Sequence, residues 1–460
     1  MRFRGLMMPD SYMLFKNSDT KWLGRIPSHW YLCRIKHAAL LNPPLSLSNP
    51  GHGEKACFIP MESVSASGKV NYNVVKEVKE LRNGFTNFQH GDVIVAKITP
   101  CFENGKGAYL TGMPMRLGFG STEFHVLRAQ GGNSSKFLYF LIKSNLFMKQ
   151  GEALMTGSAG QKRVPSSFLA NFYFAAPPLK EQEAIVSFLD QKLSQIEKAV
   201  SAKEQQITLL KERKQILIQN AVTRGLNSNA PMRDSGVEWI GEIPAHWEIM
   251  ANRTFFKERV EQGREGLPLL SVSIHSGVSE AEIPEEENVR GRVKIEDKTK
   301  YNLVQPGDIA FNMMRAWQGA IGEVRTEGMV SPAYTIAIPS PRILARYFEH
   351  LYRSPVFIQQ MDRYSKGITD FRKRLYWDGF KQLITLLPPL KEQKAIVEYI
   401  NRELAKQDQA VALLGEQITK LKEYKATLIN SAVTGKIKVP GVVEPGDEVA
   451  KPDMQEVPAL

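Results

Sequence analysis

The chain has 460 residues, of which 43% are apolar and 23% charged, values that exclude a wholly disordered or fibrous protein. Its net charge of +12 indicates a polyanionic partner, with nucleic acid ahead of a membrane surface. No apolar run is long enough to span a membrane, and the first ten residues lack the apolar segment of a secretory signal. The three cysteines form no C-x-x-C pair, so we expect a cytosolic (cytoplasmic) protein with reduced thiols.

The chain contains a tandem duplication. Residues 177–223 and 388–434 are identical at 24 of 47 positions, at a constant offset of 211. Upstream of each copy, the motif W-(I/L)-G-x-I-P-x-H-W occurs, at 22–30 and again at 239–247. Between these anchors the similarity fades to islands, such as a Gly-Asp turn at Gly91 and at Gly307. The repeating unit is therefore a divergent globular domain followed by a closely repeated segment, because the period is far too long for a solenoid.

In chain order, the sequence predicts an α+β protein with two mixed α/β domains separated by two long antiparallel coiled-coil helices, in a pseudo-two-fold arrangement. Strands are expected at 93–98 and 309–314, and helices at 137–147 and 345–360. The predicted segments are an N-terminal segment (1–19), a first mixed domain (20–176), a first long helix (177–225), a linker (226–236), a second mixed domain (237–387), a second long helix (388–436) and a disordered acidic tail (437–460).

Each repeated segment is predicted to be one long helix with a coiled-coil seam. Heptads counted from Val186 place apolar residues at most a and d positions of both copies. Gly225 and Gly435 stand where the helices should stop. The alternative is two amphipathic helices that each pack on their own domain. The predicted seam residues are Val186, Leu189, Leu193, Ile196, Val200, Ile207, Leu210, Leu217, Val397, Ile400, Leu404, Val411, Leu414, Ile418, Leu421 and Leu428.

The order of domains and helices favours antiparallel pairing, because the second domain begins shortly after the first helix ends. A parallel pair would require that domain to bridge the whole helix length. Two basic domains on a helical spacer would read a split DNA site, with a different half-site for each of the divergent domains. The alternative is that the divergence reflects drift in a domain that does not bind.

The chain resembles the specificity subunit of a type I restriction–modification system, a host defence system that methylates DNA. The motifs that carry the resemblance are the two W-(I/L)-G-x-I-P-x-H-W copies, the two P-P-L-K-E-Q sequences that lead into the helices, and the segments 97–107 and 120–127. The resemblance implies two target-recognition domains, each reading half of a bipartite asymmetric site in double-stranded DNA. It implies helices that dock two methyltransferase (modification) subunits, with restriction/translocase subunits completing the complex.

The resemblance also implies that this subunit is not an enzyme and has no metal and no cofactor. S-adenosylmethionine, ATP and magnesium would belong to the partner subunits. The alternative is a DNA methyltransferase or nuclease in its own right. Asn42-Pro43-Pro44-Leu45 lacks the aromatic residue that would stack on a flipped base, and the acidic residues around 284–298 have only a weak nuclease-like spacing. His29 and His246, in the repeated motif, are assigned to packing or capping rather than to catalysis.

Candidate DNA contacts are basic and polar residues in loops of the two domains. Arg and Gln side chains can form paired hydrogen bonds with guanine and adenine edges, whereas Lys more often holds phosphate. We predict contacts from Lys97, Thr99, Lys106, Gln161, Lys162 and Arg163 in the first domain, and from Arg315, Trp317, Gln318, Lys366, Arg372, Lys373 and Arg374 in the second.

Overall fold

The computed structural model describes residues 11–44, 53–158, 160–280, 300–367 and 373–445. The chain divides into two compact units. The first unit comprises Met1–Ala202 and Glu416–Leu460, and the second comprises Lys203–Gly415. Each unit therefore contains one mixed α/β domain, the start of one long helix and the end of the other.

The first unit is built on two four-stranded sheets. One has the strand order β4-β11-β8-β9 and is antiparallel; the other has the order β6-β5-β10-β7, with β10 parallel to β5. Two ribbons, β1-β2 and β12-β3, flank them. The strands are β1 (Phe15–Asn17), β2 (Arg25–Pro27), β3 (Tyr31–Arg34), β4 (Ala39–Leu41), β5 (Lys55–Ile59), β6 (Val75–Glu77), β7 (Thr86–Gln89), β8 (Val93–Ala96), β9 (Gly107–Tyr109), β10 (Leu117–Gly120), β11 (Phe124–Ala129) and β12 (Tyr173–Ala176).

The helices of the first domain are short. They are α1 (Ile35–Ala38), α2 (Val78–Leu81), α3 (Ser135–Ile142), α4 (Asn145–Ala153) and α5 (Ser166–Asn171). Helices α1, α3 and α5 contact the antiparallel sheet, whereas α2 contacts β5 and β6 of the other sheet. Phe137, Leu138 and Phe147 are buried in the largest core, together with the first turns of the long helix that follows. This long helix, α6, spans Leu179–Arg224.

The second unit repeats the antiparallel sheet in the order β16-β23-β20-β21, with the ribbons β13-β14, β15-β24, β17-β18 and β19-β22. Its strands are β13 (Met232–Asp234), β14 (Glu242–Pro244), β15 (Glu248–Ala251), β16 (Phe256–Glu258), β17 (Val272–Ser273), β18 (Gly277–Val278), β19 (Asn302–Val304), β20 (Ile309–Asn312), β21 (Ile321–Glu323), β22 (Gly328–Val330), β23 (Tyr334–Pro339) and β24 (Ile384–Leu387). Its helices are α7 (Ala345–Tyr352), α8 (Pro355–Tyr364) and α9 (Trp377–Phe380), and the second long helix α10 spans Leu390–Val433.

The Gly-Asp island has the same role in both domains. Asp92 is buried and accepts a hydrogen bond from the Gln89 amide at 2.9 Å, and Asp308 accepts one from the Gln305 amide at 2.8 Å. A guanidinium pairs with each carboxylate at 2.8 Å, from Arg128 in the first unit and from Arg259 in the second. The turn that enters β8 and β20 is thus held by a buried ion pair.

The helices predicted at 137–147 and 345–360 are present, but each range contains parts of two helices instead of one. Ser144 begins α4, and its hydroxyl accepts a hydrogen bond from the Phe147 amide at 3.2 Å. Ser354 precedes α8, which has Pro355 in its first turn. A serine before a helix and a proline in its first turn both favour a new helix start over a continuing one.

The N- and C-terminal segments contribute to the first unit. Strand β1 pairs with β2, and its residues lie within the predicted 1–19 segment. The disorder predicted for 437–460 is wrong for its first residues, since Val439 and Val442 are buried in the first core and Lys438 pairs with Glu444 at 3.0 Å. This stretch is ordered because its apolar side chains, Val439 and Val442, pack into the first core. The rest of that tail lies outside the described residues.

Both repeated motifs meet at one buried junction per unit. In the first unit, Glu181 of the P-P-L-K-E-Q sequence accepts hydrogen bonds from Trp30 Nε1 at 2.9 Å and from the Tyr12 hydroxyl at 2.6 Å, and it pairs with His29 Nε2 at 2.8 Å. In the second unit, Glu392 accepts from Trp247 Nε1 at 3.1 Å and pairs with His246 at 2.8 Å. The assignment of both histidines to packing agrees with these contacts.

The end of the other long helix closes each junction. A Cβ atom built on Gly435, just after α10, would lie 2.4 Å from Pro27 and 3.1 Å from Trp30. One built on Gly225, just after α6, would lie 2.9 Å from Glu392 and 3.2 Å from Trp247. Both glycines have positive φ, +69° and +74°, which ends a helix at little cost for glycine alone. In each unit, the second tryptophan of the repeated motif therefore lies beside the start of one long helix and the glycine that follows the other.

Candidate nucleic-acid interface

Four of the first domain's predicted DNA contacts lie together. The segment 97–99 pairs with the segment 162–164: the Thr99 amide donates to the Lys162 carbonyl at 2.9 Å, and the Val164 amide donates to the Lys97 carbonyl at 2.9 Å. On its other side, Arg163 pairs with Thr156 through two backbone hydrogen bonds of 2.8 and 3.0 Å. The structure thus brings Lys97, Thr99, Lys162 and Arg163 together on one hydrogen-bonded element.

The remaining two candidates of the first domain differ in setting. Gln161 is exposed beside Lys162 in the hairpin loop. Lys106 is half-buried, and its ammonium donates to the Met61 carbonyl at 3.1 Å. The backbone of Lys106 is joined to the end of β8, because its carbonyl accepts from the Ala96 amide at 3.0 Å. The Lys106 side chain therefore holds a neighbouring loop, while Gln161 is open to solvent.

Glu123 is part of this cluster and was missing from the predicted contacts. Arg163 donates from Nε at 3.0–3.1 Å to both Glu123 carboxylate oxygens and from Nη2 at 2.8 Å to Oε1. Lys97 lies alongside, its ammonium donating to the Thr122 carbonyl at 2.7 Å. Glu123 is 40 positions from Arg163 in sequence, so only the pairing of strand ends brings them together. No local pattern singles out Glu123, since Glu103 is a second acidic residue in the segment 97–127.

The electrostatics of the cluster follow from these contacts. The hydrogen bonds from Arg163 lower the pKa of Glu123, so its carboxylate is charged at neutral pH. Burial lowers the pKa of Lys97, opposed by the nearby Glu123 charge. Beneath them, burial lowers the pKa of His125 to about 4, and its Nε2 lies 3.0 Å from the Val164 carbonyl. The imidazole is therefore neutral at pH 7 and supports the strand that carries Arg163.

The second domain has the equivalent hairpin. Lys366 and Arg374 pair through two backbone hydrogen bonds of 2.8 and 2.9 Å, and the Leu375 amide donates to the Met313 carbonyl at 2.9 Å. These bonds match those of Thr156, Arg163, Val164 and Lys97 in the first domain. The predicted clusters at 161–163 and 372–374 are thus the same element of the fold, although their loops share little sequence.

Three further candidates surround this second hairpin. The Lys373 ammonium lies 5.1 Å from the centre of the Trp317 ring and pairs with Asp362 at 2.7 Å. The Trp317 indole N–H donates to the Met314 carbonyl at 3.0 Å, so the ring is held in place. Arg315 Nη1 and Gln318 Oε1 are 3.4 Å apart on the same short turn. Arg372 lies outside the described residues.

The predicted seam residues lie on the packed faces of both long helices. Every one of them is buried or half-buried. In the first unit, Leu193 and Ile196 of α6 share a core with Leu428 of α10. In the second, Leu217 of α6 packs with the core that holds Val397 of α10. In each unit the start of one long helix packs against the end of the other, so the two helices run antiparallel, as predicted. The alternative, in which each helix packs only on its own domain, is wrong.

Two ion pairs flank this seam and were not predicted. Lys425 pairs with Glu197 at 2.8 Å in the first unit, and Lys214 pairs with Asp408 at 3.0 Å in the second. Both lysines occupy a positions of the heptads counted from Val186. Their stems can cover the seam while their ammonium groups reach a carboxylate on the facing helix.

Other kinds of site find little support in the part of the chain that the structure describes. It contains no cluster of three or more His, Cys, Asp or Glu side chains that could hold a metal ion. Across the same ranges, no helix combines the length and apolarity that crossing a membrane requires. The nuclease-like acidic residues around 284–298 lie outside those ranges.

Solved structures share the fold of this chain. The chain superposes with a TM-score of 0.66 on a structure described as "Structural basis underlying complex assembly and conformational transition of the type I R-M system", at 16% identity, covering 89% of this chain and 98% of that one. It superposes with a TM-score of 0.58 on the HsdS subunit from Thermoanaerobacter tengcongensis, at 16% identity, covering 90% and 98% of the two chains. The predicted fold class is confirmed.

Sequence comparisons find a known domain in part of the chain. Residues 54–208 match the type I restriction modification DNA specificity domain, and the predicted resemblance is confirmed. The chain is 39% identical over 171 residues to the specificity subunit of the type I restriction enzyme EcoAI of Escherichia coli, covering 37% of this chain and 29% of the relative. It is 35% identical over 175 residues to that of EcoEI, also from Escherichia coli, covering 38% and 29%.

A third relative matches over a longer range. The EcoKI specificity subunit of Escherichia coli strain K12 is 24% identical over 356 residues, covering 72% of each chain. The matches to EcoAI and EcoEI cover 29% of those relatives' lengths. The range matched by the DNA specificity domain, residues 54–208, includes the first hairpin cluster and the start of α6.

Proposed function

We propose that this chain is the DNA-reading specificity subunit of a type I restriction–modification complex, with one half of a bipartite asymmetric site read by each mixed domain. The observation that carries the proposal is the pair of equivalent basic hairpins, ending at Arg163 and Arg374, on two domains that share a frame and differ in loop sequence. Two domains with the same backbone arrangement and different polar loops would bind DNA in the same way but recognise different half-sites.

The subunit does no chemistry in this proposal. The methylation of adenine with S-adenosylmethionine and the ATP- and magnesium-dependent steps belong to partner subunits, in the cytoplasm. Within the first domain, the basic side chains are committed to backbone and ion-pair contacts that shape a surface: Lys97, Lys106 and Arg163 each bind a neighbouring loop or carboxylate. This arrangement supports recognition of a polyanion rather than activation of a nucleophile or water.

Methyltransferase subunits are proposed to dock on the long helices. Leu209 and Ile216 of α6 are 62% and 61% exposed, and Leu413 of α10 is 51% exposed, all in the second unit. Apolar side chains at helical spacing on a face away from the seam indicate contact with another protein. Leu209→Glu with Ile216→Glu should therefore reduce copurification of the methyltransferase, whereas the control Lys211→Glu on the same helix should not. Equal copurification of both variants would place the docking surface elsewhere.

The test of DNA reading is an exchange of one domain. Residues 237–387 are replaced by the second domain of a relative with a different target, and methylated adenines are mapped in DNA from cells that also express the modification subunit. One half-site should change and the other should stay the same. A change of both half-sites, or of neither, would contradict the assignment of one half-site to each domain.

A further inference from the structure

The two readers differ at one charged residue beneath the equivalent arginines. In the first unit, the Lys97 amide donates to the Glu123 carbonyl at 2.7 Å; in the second, the Met313 amide donates to the Ala333 carbonyl at 3.2 Å. Glu123 and Ala333 also lie in the same kind of turn: the Phe124 amide donates to the Ser121 carbonyl, and the Tyr334 amide donates to the Ser331 carbonyl. Glu123 and Ala333 are therefore equivalent, and the carboxylate that holds Arg163 has no counterpart side chain at Ala333.

Arg163 is fixed more completely than an ordinary surface arginine. Its amide and carbonyl both pair with Thr156, and the residues on either side of it pair with Lys97 and Thr99. Its guanidinium is held along the Nε–Nη2 edge by Glu123. The side chain is nevertheless 47% exposed. A long side chain that is ordered before binding loses less conformational entropy when a ligand arrives.

The geometry leaves one edge of the guanidinium available. Glu123 accepts from Nε and Nη2, while Nη1 has a 3.4 Å contact with the Gln161 carbonyl. The Nη1–Nη2 end can donate two parallel hydrogen bonds, the pattern that matches O6 and N7 of guanine in the major groove. A phosphate can be bound by a lysine as a point charge, whereas recognition of O6 and N7 of guanine depends on two donors held in a fixed orientation.

We propose that Arg163 reads a guanine in the half-site of the first domain and that Glu123 is the positioning residue that sets the plane of its guanidinium. The inference rests on the proposed function and adds to it a base, a reading residue and the residue that orients it. Arg374 takes its orientation from other contacts, including donation from Nη1 to the Lys373 carbonyl at 2.9 Å. Both domains then recognise DNA through the equivalent hairpin, but the arginine on each hairpin is oriented by different contacts.

The experiment measures base preference at each position of the site. Full-length chain with its modification subunit is presented with a library of site variants, and bound sequences are counted at several salt concentrations. Arg163→Lys keeps the charge, so the salt dependence of binding should stay the same, but affinity for sites with guanine at one position of one half-site should fall about 10- to 100-fold relative to sites with another base there. An unchanged preference in Arg163→Lys, with selective binding by the unmutated chain, would overturn the proposal.

Glu123 is tested by a double-mutant cycle. Glu123→Ala should weaken the same guanine preference when Arg163 is present and should have no further effect on it in the Arg163→Lys chain. If Glu123 acted only as a negative charge near DNA, its removal would raise affinity for all sequences and leave the preference intact. Glu123→Asp, which keeps a carboxylate, should retain more of the preference than Glu123→Ala.

The matched control is Ala333→Glu in the second domain, which should leave the preference in the first half-site unchanged. A loss of guanine preference in the first half-site of this control would show that the effect is not local, and would overturn the assignment. Absence of any sequence preference in the unmutated chain would instead contradict the proposed function itself. The two failures are therefore distinguishable.

Discussion

The junctions of the two units are alike in design but differ in burial. The side chain of Glu181 is 7% exposed and accepts from Trp30, while Tyr12 and His29 complete its contacts. The side chain of Glu392 is 24% exposed and has the tryptophan and histidine contacts, with His246 itself 49% exposed. The sequence repeats most closely where a domain meets the long helices, because that contact is the same in both units. It diverges where the loops face solvent.

The largest expected difference comes from removing the two carboxylates. Glu181→Ala leaves the buried donors of Trp30 and Tyr12 unsatisfied and should cost about 3–5 kcal/mol of unfolding free energy, whereas Glu392→Ala should cost about 1–2 kcal/mol. Urea unfolding of the full chain, followed by tryptophan fluorescence, measures both. Glu183→Ala, an exposed position on the same helix, is the control and should change little. Equal losses for both carboxylates would show that the junctions are energetically equivalent.

A second contrast concerns the glycines that follow the helices. Gly435→Ala would place a methyl group 2.4 Å from the rigid Pro27 ring at positive φ and should cost about 3 kcal/mol. Gly225→Ala meets the flexible Glu392 carboxylate at 2.9 Å and should cost about 1–2 kcal/mol. Thermal unfolding provides the comparison. Gly415→Ala inside α10, where the added methyl group has open space, should be neutral or stabilising by up to about 1 kcal/mol.

The smallest expected effect is a pH dependence in the first unit. Burial lowers the pKa of His125 to about 4, below the usual value near 6.5 of an unfolded chain. Protonation therefore favours unfolding, and stability that is full above pH 6.5 is lost as the pH falls toward 4. Between pH 7 and pH 5 the loss should be on the order of 1–2 kcal/mol. His125→Gln should flatten this part of the stability curve, while His37→Gln, at an exposed position, should leave the slope unchanged.

The second unit should show the same acid loss from another residue. Burial lowers the pKa of His350 on α7 to about 3, and Arg346 and Arg353 add to the effect. If His125→Gln alone abolished the acid sensitivity of the whole chain, the assignment of a separate contribution to each unit would be wrong.

The features that could be predicted from the sequence are those that depend on periodicity and repetition. The seam from Val186 to Leu217 and its antiparallel pairing follow from heptad spacing and from the order of segments in the chain. The clusters around Arg163 and Arg374 could be chosen from composition, because each combines basic residues with a glycine a few positions before them. These patterns can be recognised in the sequence alone, because they do not depend on contacts between distant residues.

The rest depends on contacts between distant residues. Glu123 reaches Arg163 only because β11 begins beside the segment that follows β8, and no local pattern encodes that pairing. Ser144 and Ser354 were absorbed into single predicted helices, since the apolar residues on both sides continue a helical period. Val442 was assigned to a disordered tail because its neighbours are acidic and proline-rich. In each case a tertiary contact outweighed local composition.

The ion pairs along the seam record how the chain arose. Lys214 and Lys425 are equivalent residues of the two repeats, as are Glu197 and Asp408, and each lysine pairs with the acid of the other repeat. Reciprocal pairing of this kind, where residue i contacts j and j contacts i, is the signature of an isologous dimer interface. It follows that a half-length ancestor with one domain and one helix would have paired with a second copy of itself.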